Sequence, residues 1–173
     1  DCDGNCSDSI DCFGVCGGSA QFDECGICNG GGIIEGYNCN GIPLQFEFNQ
    51  STQQAFYYFI NVTLNNQNIN SNDWVGAFKN DICVGALQWD TSQCNNQVCS
   101  LPIMGDDGFN WTSGYMQQGD IPTFKIFNAT TGEYFDAISS DNITWENNST
   151  PLIEILNGGI LGCTNSSACN YNE

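Results

Sequence analysis

Residues 55–64 read AFYYFINVTL, and this stretch decides the class of fold. Most of its residues are β-branched or aromatic, and the side chains alternate in two sets along the chain. The alternation predicts a β-strand with an inner face of Phe56, Tyr58, Ile60, Val62 and Leu64 and an outer face of Tyr57, Phe59, Asn61 and Thr63. Apolar side chains on an exposed face usually occur singly and without a role, but two aromatic residues in one strand can form a contact surface. Tyr57 and Phe59 are therefore candidate interface residues toward a neighbouring subunit or a sugar.

Six further stretches have the composition of strands, and no segment shows a sustained helical period. They are LQFEFN (44–49), DWVGAFK (73–79), ICVGALQW (82–89), IPTFKIFN (121–128), EYFDAIS (133–139) and PLIEIL (151–156). Short strands separated by turn sequences predict a mainly β fold, namely an antiparallel β-sandwich that is jelly-roll-like in preference to immunoglobulin-like.

The composition changes at both ends of this β-sandwich domain, which we place at residues 42–160. Residues 1–41 form a head rich in Cys, Asp and Gly, and residues 161–173 form a short tail with two further Cys. No apolar run approaches the roughly 18 to 20 residues of a membrane helix, so we expect no membrane insertion. Because the sequence has no initiator Met, we expect a processed or excerpted segment.

The net charge is -18, from 20 Asp and Glu against two Lys, and the chain has no His. Binding to a phosphate backbone needs cationic side chains, so nucleic acid is excluded as a partner and divalent cations are the natural counter-charge. Without His, a Ser-His-Asp or Cys-His relay is impossible, and we expect no enzyme. A glycosidase with paired carboxylates stays conceivable because Asp and Glu abound.

The 12 Cys are even in number and clustered, which favours disulfides in an oxidising compartment over zinc. The CxxC of Cys25 and Cys28 has no thioredoxin-like βαβ context. Seven Cys lie in the head, three in the middle and two in the tail, so the odd counts predict one bridge between head and middle. The expected pairs are Cys94 with Cys99, Cys163 with Cys169, and Cys39 with Cys83.

Oxygen-bearing side chains surround Gly4, where the chain can turn sharply. Hard oxygen ligands converging on one point are typical of a calcium site, so calcium is the predicted cofactor. The candidate ligands are Asp1, Asp3, Asn5, Asp8 and Asp11. The alternative is that Asp and Gly only form turns, and for Asp106 and Asp107, between Gly105 and Gly108, we place the turn ahead of calcium.

The N-x-[ST] triplet occurs nine times, where chance predicts about three. The sites are Asn5, Asn49, Asn61, Asn110, Asn128, Asn142, Asn147, Asn148 and Asn165, and alternation directs Asn49 and Asn61 away from the core. The excess favours a secreted protein with covalent glycans. The alternative is that a strand protein rich in Asn and Thr accumulates such triplets harmlessly. Because the triplets of Asn147 and Asn148 overlap, we expect only one of them to carry a glycan.

Four parts of the chain resemble known families. The run DCDGNCSDSIDC (1–12) resembles thrombospondin type 3 repeats, which implies bound calcium. The run DCFGVCGGSAQFDECGICNGGG (11–32), the elements WVGAF and MGDDG of the middle, and GCTNSSACNYNE (162–173) resemble repeats and an uncharacterised β-domain of large secreted and cell-surface proteins of aquatic microbes. This resemblance implies a structural module without enzymatic activity.

These features together predict a structural subunit of an extracellular filament or surface layer. The tail resembles the first half of a repeat whose second half is acidic and contains Cys. The head resembles that second half. The expected partners are therefore copies of the chain joined head to tail. The alternative is a carbohydrate-binding or adhesion module of a large surface protein.

Overall fold

The computed structural model describes Cys6 and residues 8–159. The chain divides into two compact units between Leu44 and Gln45, where the sequence analysis placed the boundary after residue 41. The following predicted sites lie outside the described residues: the calcium ligands Asp1, Asp3 and Asn5, the Cys163–Cys169 pair, and the glycosylation sites Asn5 and Asn165. Within the described part, no helix is long and apolar enough to cross a membrane.

The described residues of the second unit contain eight strands, which confirms the mainly β class. They are β1 (Gln54–Leu64), β2 (Gln67–Asn68), β3 (Trp74–Lys79), β4 (Ile82–Gln88), β5 (Cys99–Met104), β6 (Thr123–Asn128), β7 (Glu133–Ser139) and β8 (Leu152–Gly158). The helices of the described residues are short 3-10 turns at Leu44–Phe46, Thr91–Gln93, Asn95–Gln97 and Asn110–Thr112.

All eight strands belong to one sheet, so the predicted two-sheet sandwich is not confirmed. The strand order is β2-β1-β8-β7-β6-β3-β4, and β5 also pairs with β1. The sheet is mixed, because β1 and β8 run parallel while the other pairs are antiparallel. The sheet curls into a half-barrel that brings β4 against β5, and a Cβ atom at Gly85 would clash with the Pro102 carbonyl oxygen.

The predicted strand at residues 44–49 is wrong. It begins as a 3-10 turn, and two of its backbone N–H groups donate to side chains: that of Gln45 to the Tyr134 hydroxyl and that of Asn49 to the Tyr115 hydroxyl. Phe46 is fully buried, and its ring packs edge-on against Tyr134 with centroids 5.3 Å apart. The apolar residues of this segment alternate as in a strand, but Phe46 is apolar because it anchors the segment to the core and not because it belongs to a strand.

The predicted facing of β1 is also wrong at its centre, because Tyr57 and Phe59 point into the core. Each is 1% exposed, whereas Ile60 is 46% exposed. The ring of Phe59 meets those of Trp89 and Phe124 at centroid distances of 6.0 and 5.4 Å. Burial raises the pKa of the Tyr57 hydroxyl to about 12. These two residues are therefore core residues and cannot form the expected interface.

Both faces of β1 carry large apolar side chains, so alternation alone could not say which face is inside. Ile60 and Asn61 are both exposed, and Val62 is buried again. In the neighbouring strand β8 two buried residues are likewise three positions apart, namely Ile153 and Leu156. Because β1 and β8 pair in parallel, Phe59 lies opposite Ile153 and Val62 lies opposite Leu156. Asn61 is consequently on the surface and Val62 in the core, both as expected, whereas Ile60 is exposed instead of buried.

Replacing Phe59 by Ala should lower the free energy of unfolding by about 3 to 5 kcal/mol, because it leaves a cavity between buried rings. The matched replacement of Ile60 by Ala should cost less than about 1 kcal/mol, since nearly half of that residue is exposed. Urea unfolding with the disulfides intact measures both. A larger loss for Ile60→Ala than for Phe59→Ala would restore the facing predicted from the sequence.

The bridge of Cys94 with Cys99 is present, with an S–S distance of 1.98 Å. The predicted bridge of Cys39 with Cys83 is wrong, because Cys39 is bonded to Cys25. Cys83 lies buried on β4 as a thiol, and burial raises its pKa to about 12. The prediction from the odd numbers of Cys in the head and the middle assumed that every cysteine is paired. Cys83 is a buried thiol that packs as a small apolar side chain, so that assumption fails.

Asp73 is a buried acid that joins two loops of the second unit. It is 1% exposed, and its carboxylate accepts the backbone N–H groups of Asn70 at 2.7 Å and Ala129 at 2.9 Å. A buried amide without an acceptor costs free energy, so Asp73 stabilises both loop ends.

The replacement Asp73→Ala should lower the free energy of unfolding by about 2 kcal/mol or more, because it leaves two amides without an acceptor. The matched replacement Asp81→Ala, at an exposed acid in the β3–β4 turn, should change it by less than about 0.5 kcal/mol. Chemical denaturation compares the two, and equal effects would show that Asp73 does not hold the loops.

Candidate functional site

The head contains three loops organised by one side chain each, at residues 11–20, 23–32 and 38–42. In the first loop, Oδ1 of Asp11 accepts the N–H groups of Phe13 at 3.0 Å and Val15 at 2.9 Å. Its Oδ2 atom accepts the N–H group of Ala20 at 3.3 Å. These bonds lower the pKa of Asp11 because they favour the charged form, and the bond from Val15 contributes most.

The second loop repeats this arrangement twelve residues later around Asp23. Oδ1 accepts from Cys25 at 3.0 Å and Ile27 at 2.9 Å, and Oδ2 accepts from Gly32 at 3.1 Å. The bond from Ile27 contributes most to a lowered pKa of Asp23. The carboxylate lies so close to Gly30 that a Cβ atom there would clash with it. Asp23 and Gly30 therefore specify this loop together.

The third loop uses Asn38, whose Oδ1 accepts the N–H groups of Asn40 at 2.9 Å and Ile42 at 3.0 Å. Disulfides join the loops in series: Cys6 to Cys16, Cys12 to Cys28, and Cys25 to Cys39. We call this arrangement the loop ladder. Its side chains are mostly exposed, so the bridges and the amide bonds take the place of a core.

The loop ladder bears on the predicted calcium site. Of its five proposed ligands, the structure describes Asp8, which is exposed, and Asp11, whose two oxygens already accept three amides. Among the described residues, no group of three or more His, Cys, Asp or Glu is arranged to hold a metal ion. Asp11 therefore acts as a turn former, which the sequence left open, and calcium at the head stays a prediction.

The replacement Asp23→Asn should leave the amides of Cys25 and Ile27 bonded, because Asn38 makes the same two bonds through its Oδ1 atom. The Gly32 amide should lose its protection, because the Nδ2 group of Asn donates and cannot accept. Asp23→Ala should expose all three amides.

Amide hydrogen exchange on the disulfide-intact chain measures these effects, with Glu35→Gln as a control at a neighbouring exposed acid. Unchanged exchange at Gly32 in Asp23→Asn would contradict the role given to the second carboxylate oxygen.

A second site is the aromatic loop, residues 105–116 of the second unit, which is closed by a bridge between Gly105 and Met116. Asp107 fixes its shape. Its Oδ1 atom accepts the buried Thr112 hydroxyl at 2.6 Å, and its Oδ2 atom accepts both the N–H and the hydroxyl of Thr52 at 3.0 and 3.1 Å. The Thr112 hydroxyl contributes most to holding the pKa of Asp107 well below its usual range.

Asp106 has a turn role in the same loop, because its Oδ1 atom accepts the N–H group of Gly108 at 3.0 Å. Both acids of this turn thus bond to the loop itself, as the turn interpretation expects.

Phe109 and Trp111 form a stacked pair at the tip of the aromatic loop. Their ring centroids are 4.6 Å apart with an interplanar angle of 5°, yet the residues are 51% and 55% exposed. Large apolar groups held together in solvent mark a contact surface more strongly than single ones do. Periodicity did not reveal this pair because it lies in a loop and a short 3-10 turn, and only the Gly-rich turn preceding it signals a loop.

The described glycosylation candidates differ in accessibility. Exposed are Asn49, Asn61, Asn110, Asn142, Asn147 and Asn148. Asn128 is half-buried, and its Oδ1 atom accepts the N–H groups of Thr130 and Thr131. Asn49 lies at the aromatic loop, where its Nδ2 atom donates to the Trp111 carbonyl at 3.2 Å.

Comparisons of the chain with protein-family models, with curated proteins and with solved structures find no match. What the molecule does has to be inferred from the loop ladder and the aromatic loop.

Proposed function

We propose that the chain is a structural module of an extracellular surface assembly. The observation that carries this proposal is the loop ladder, in which three disulfides join loops that have little buried apolar surface. Such bridges persist in oxidising compartments outside the cytosol. Loops stapled in series resist unfolding and proteolysis, which suits a spacer in a cell-surface layer or filament.

The proposed partners are copies of the same chain, joined head to tail. This part rests on the resemblance of residues 162–173 to half of a motif whose acidic, Cys-bearing remainder resembles the head. A contact between two different surfaces whose rotation does not close generates an open filament. With Tyr57 and Phe59 buried, these two residues contribute nothing to that contact.

The high negative charge supports two further parts of the proposal. Calcium at residues 1–8 would reduce the repulsion within a chain of net charge -18. Covalent N-linked glycans on the exposed sites would cover a surface rich in Asn and Thr.

The second candidate is a carbohydrate-binding or adhesion module. The observation in its favour is the exposed, stacked pair of Phe109 and Trp111. Aromatic rings of this kind present flat apolar faces to a ligand.

Deleting residues 162–173 from the full chain should abolish assembly, because it removes the tail side of the joint. Light scattering and negative-stain electron microscopy at high protein concentration with calcium measure assembly. The replacement Trp111→Ala in the full chain is the control, and it should assemble like the wild type.

Near-ultraviolet circular dichroism verifies that the truncated sheet is folded. Assembly of the truncated protein, or a full chain that stays monomeric, would contradict the filament. Retention of that monomer on immobilised glycans, lost in Trp111→Ala, would favour the adhesion module.

A further inference from the structure

We propose that an N-linked glycan on Asn49 folds over the stacked pair of Phe109 and Trp111 and covers it. The inference rests on the proposed function in one respect, namely that the chain is a secreted glycoprotein. It adds a site at which the protein binds a saccharide that is covalently attached to the same chain.

The first step is the position of the acceptor atom. The Nδ2 atom of Asn49, to which an N-linked sugar is attached, lies 3.2 Å from the carbonyl oxygen of Trp111. A glycosylated Asn amide keeps one N–H group, which can still donate to this carbonyl. The first sugar ring is therefore bonded directly to the Nδ2 atom, which the Trp111 carbonyl holds against the aromatic loop.

The second step is the rigidity of the connection between the two segments. The backbone N–H of Asn49 donates to the Tyr115 hydroxyl at 2.7 Å, and Tyr115 is 4% exposed. Three residues further on, Thr52 donates twice to Asp107. The segment of Asn49 is thus fastened to the aromatic loop at three points, and the direction of the attached sugar relative to the rings is restricted.

The third step is the chemistry of the surface. The electron-rich face of an aromatic ring attracts groups of partial positive charge, and the C–H bonds on one face of a pyranose ring carry such charge. Phe109 and Trp111 stack on each other, so each turns its other face outward. A saccharide on one of these faces removes apolar surface from water without a second protein.

Asn110 is the competing attachment site, because it lies between the two aromatic residues in the sequence. The hydroxyl of its triplet, on Thr112, is buried and bonded to Asp107. The Asn49 side chain donates to the Trp111 carbonyl, whereas no described residue forms a hydrogen bond with the Asn110 side chain, so the geometry favours Asn49. Asn110 therefore provides the matched control.

The experiment is hydroxyl-radical footprinting of the full chain made in a host that attaches N-linked glycans. Peptide mass mapping gives the occupancy of each Asn and the oxidation of each aromatic residue. The summed oxidation of Phe109 and Trp111 should rise about twofold in Asn49→Gln, because a sugar on the outer face of one ring covers about half of the exposed surface of the pair. It should not rise in Asn110→Gln, and oxidation of the exposed Phe13 of the head should be the same throughout.

Wild type and Asn49→Gln from a host without N-glycosylation separate the glycan from the substitution, and their oxidation should be equal. Equal oxidation in the glycosylated pair, a rise in Asn110→Gln instead, or an unoccupied Asn49 beside other occupied sites would overturn the inference and leave the proposed function standing. Absence of glycan from every site in native material would overturn the glycoprotein part of the proposed function as well.

Discussion

Hydrogen bonds from backbone amides to Asp carboxylates are the interaction on which the loops of this molecule depend. Asp11 and Asp23 each hold a loop of the head, Asp73 joins two loop ends, and Asp107 fixes the aromatic loop. An ionised carboxylate is a strong acceptor, and a loop amide without one would have only water. Acids that look like a surplus of charge in the sequence are therefore used to order the backbone.

The shortage of cations explains why amides serve as partners. The chain has two Lys, and both are engaged: Lys79 pairs with Asp120 and Lys125 with Asp136, each at 2.6 Å. The first pair is partly shielded from solvent and lowers the pKa of Asp120, while the second is more exposed and contributes little stability. Among the other described acids, Asp11, Asp23, Asp73 and Asp107 bond to backbone amides instead. The disulfides then supply the covalent restraint that a small, charged head cannot obtain from a core.

The sequence predicted the strands with clear turns at both ends, such as β7 at Glu133–Ser139, because composition and turn signals agree there. It failed where tertiary contacts decide. Phe46 gives a strand pattern to a 3-10 turn, and the facing of Phe59 depends on which side of an aromatic strand the sheet curls around. The strand β5 was missed because Pro102 argues against a strand. Spacing identified the acids of the head, but whether an Asp binds calcium or amides depends on backbone geometry.

The pKa values of Asp11, Asp23 and Asp107, measured by nuclear magnetic resonance of the carboxyl carbons in the full chain with a calcium chelator present, test this account most directly. The account predicts that all three titrate below the ordinary Asp value of about 3.9. A folded-state pKa below the unfolded one means that these bonds contribute their full stability above about pH 4 and lose it as the pH falls through the lowered values. Midpoints at or above the ordinary value would show that the carboxylates do not hold the loops.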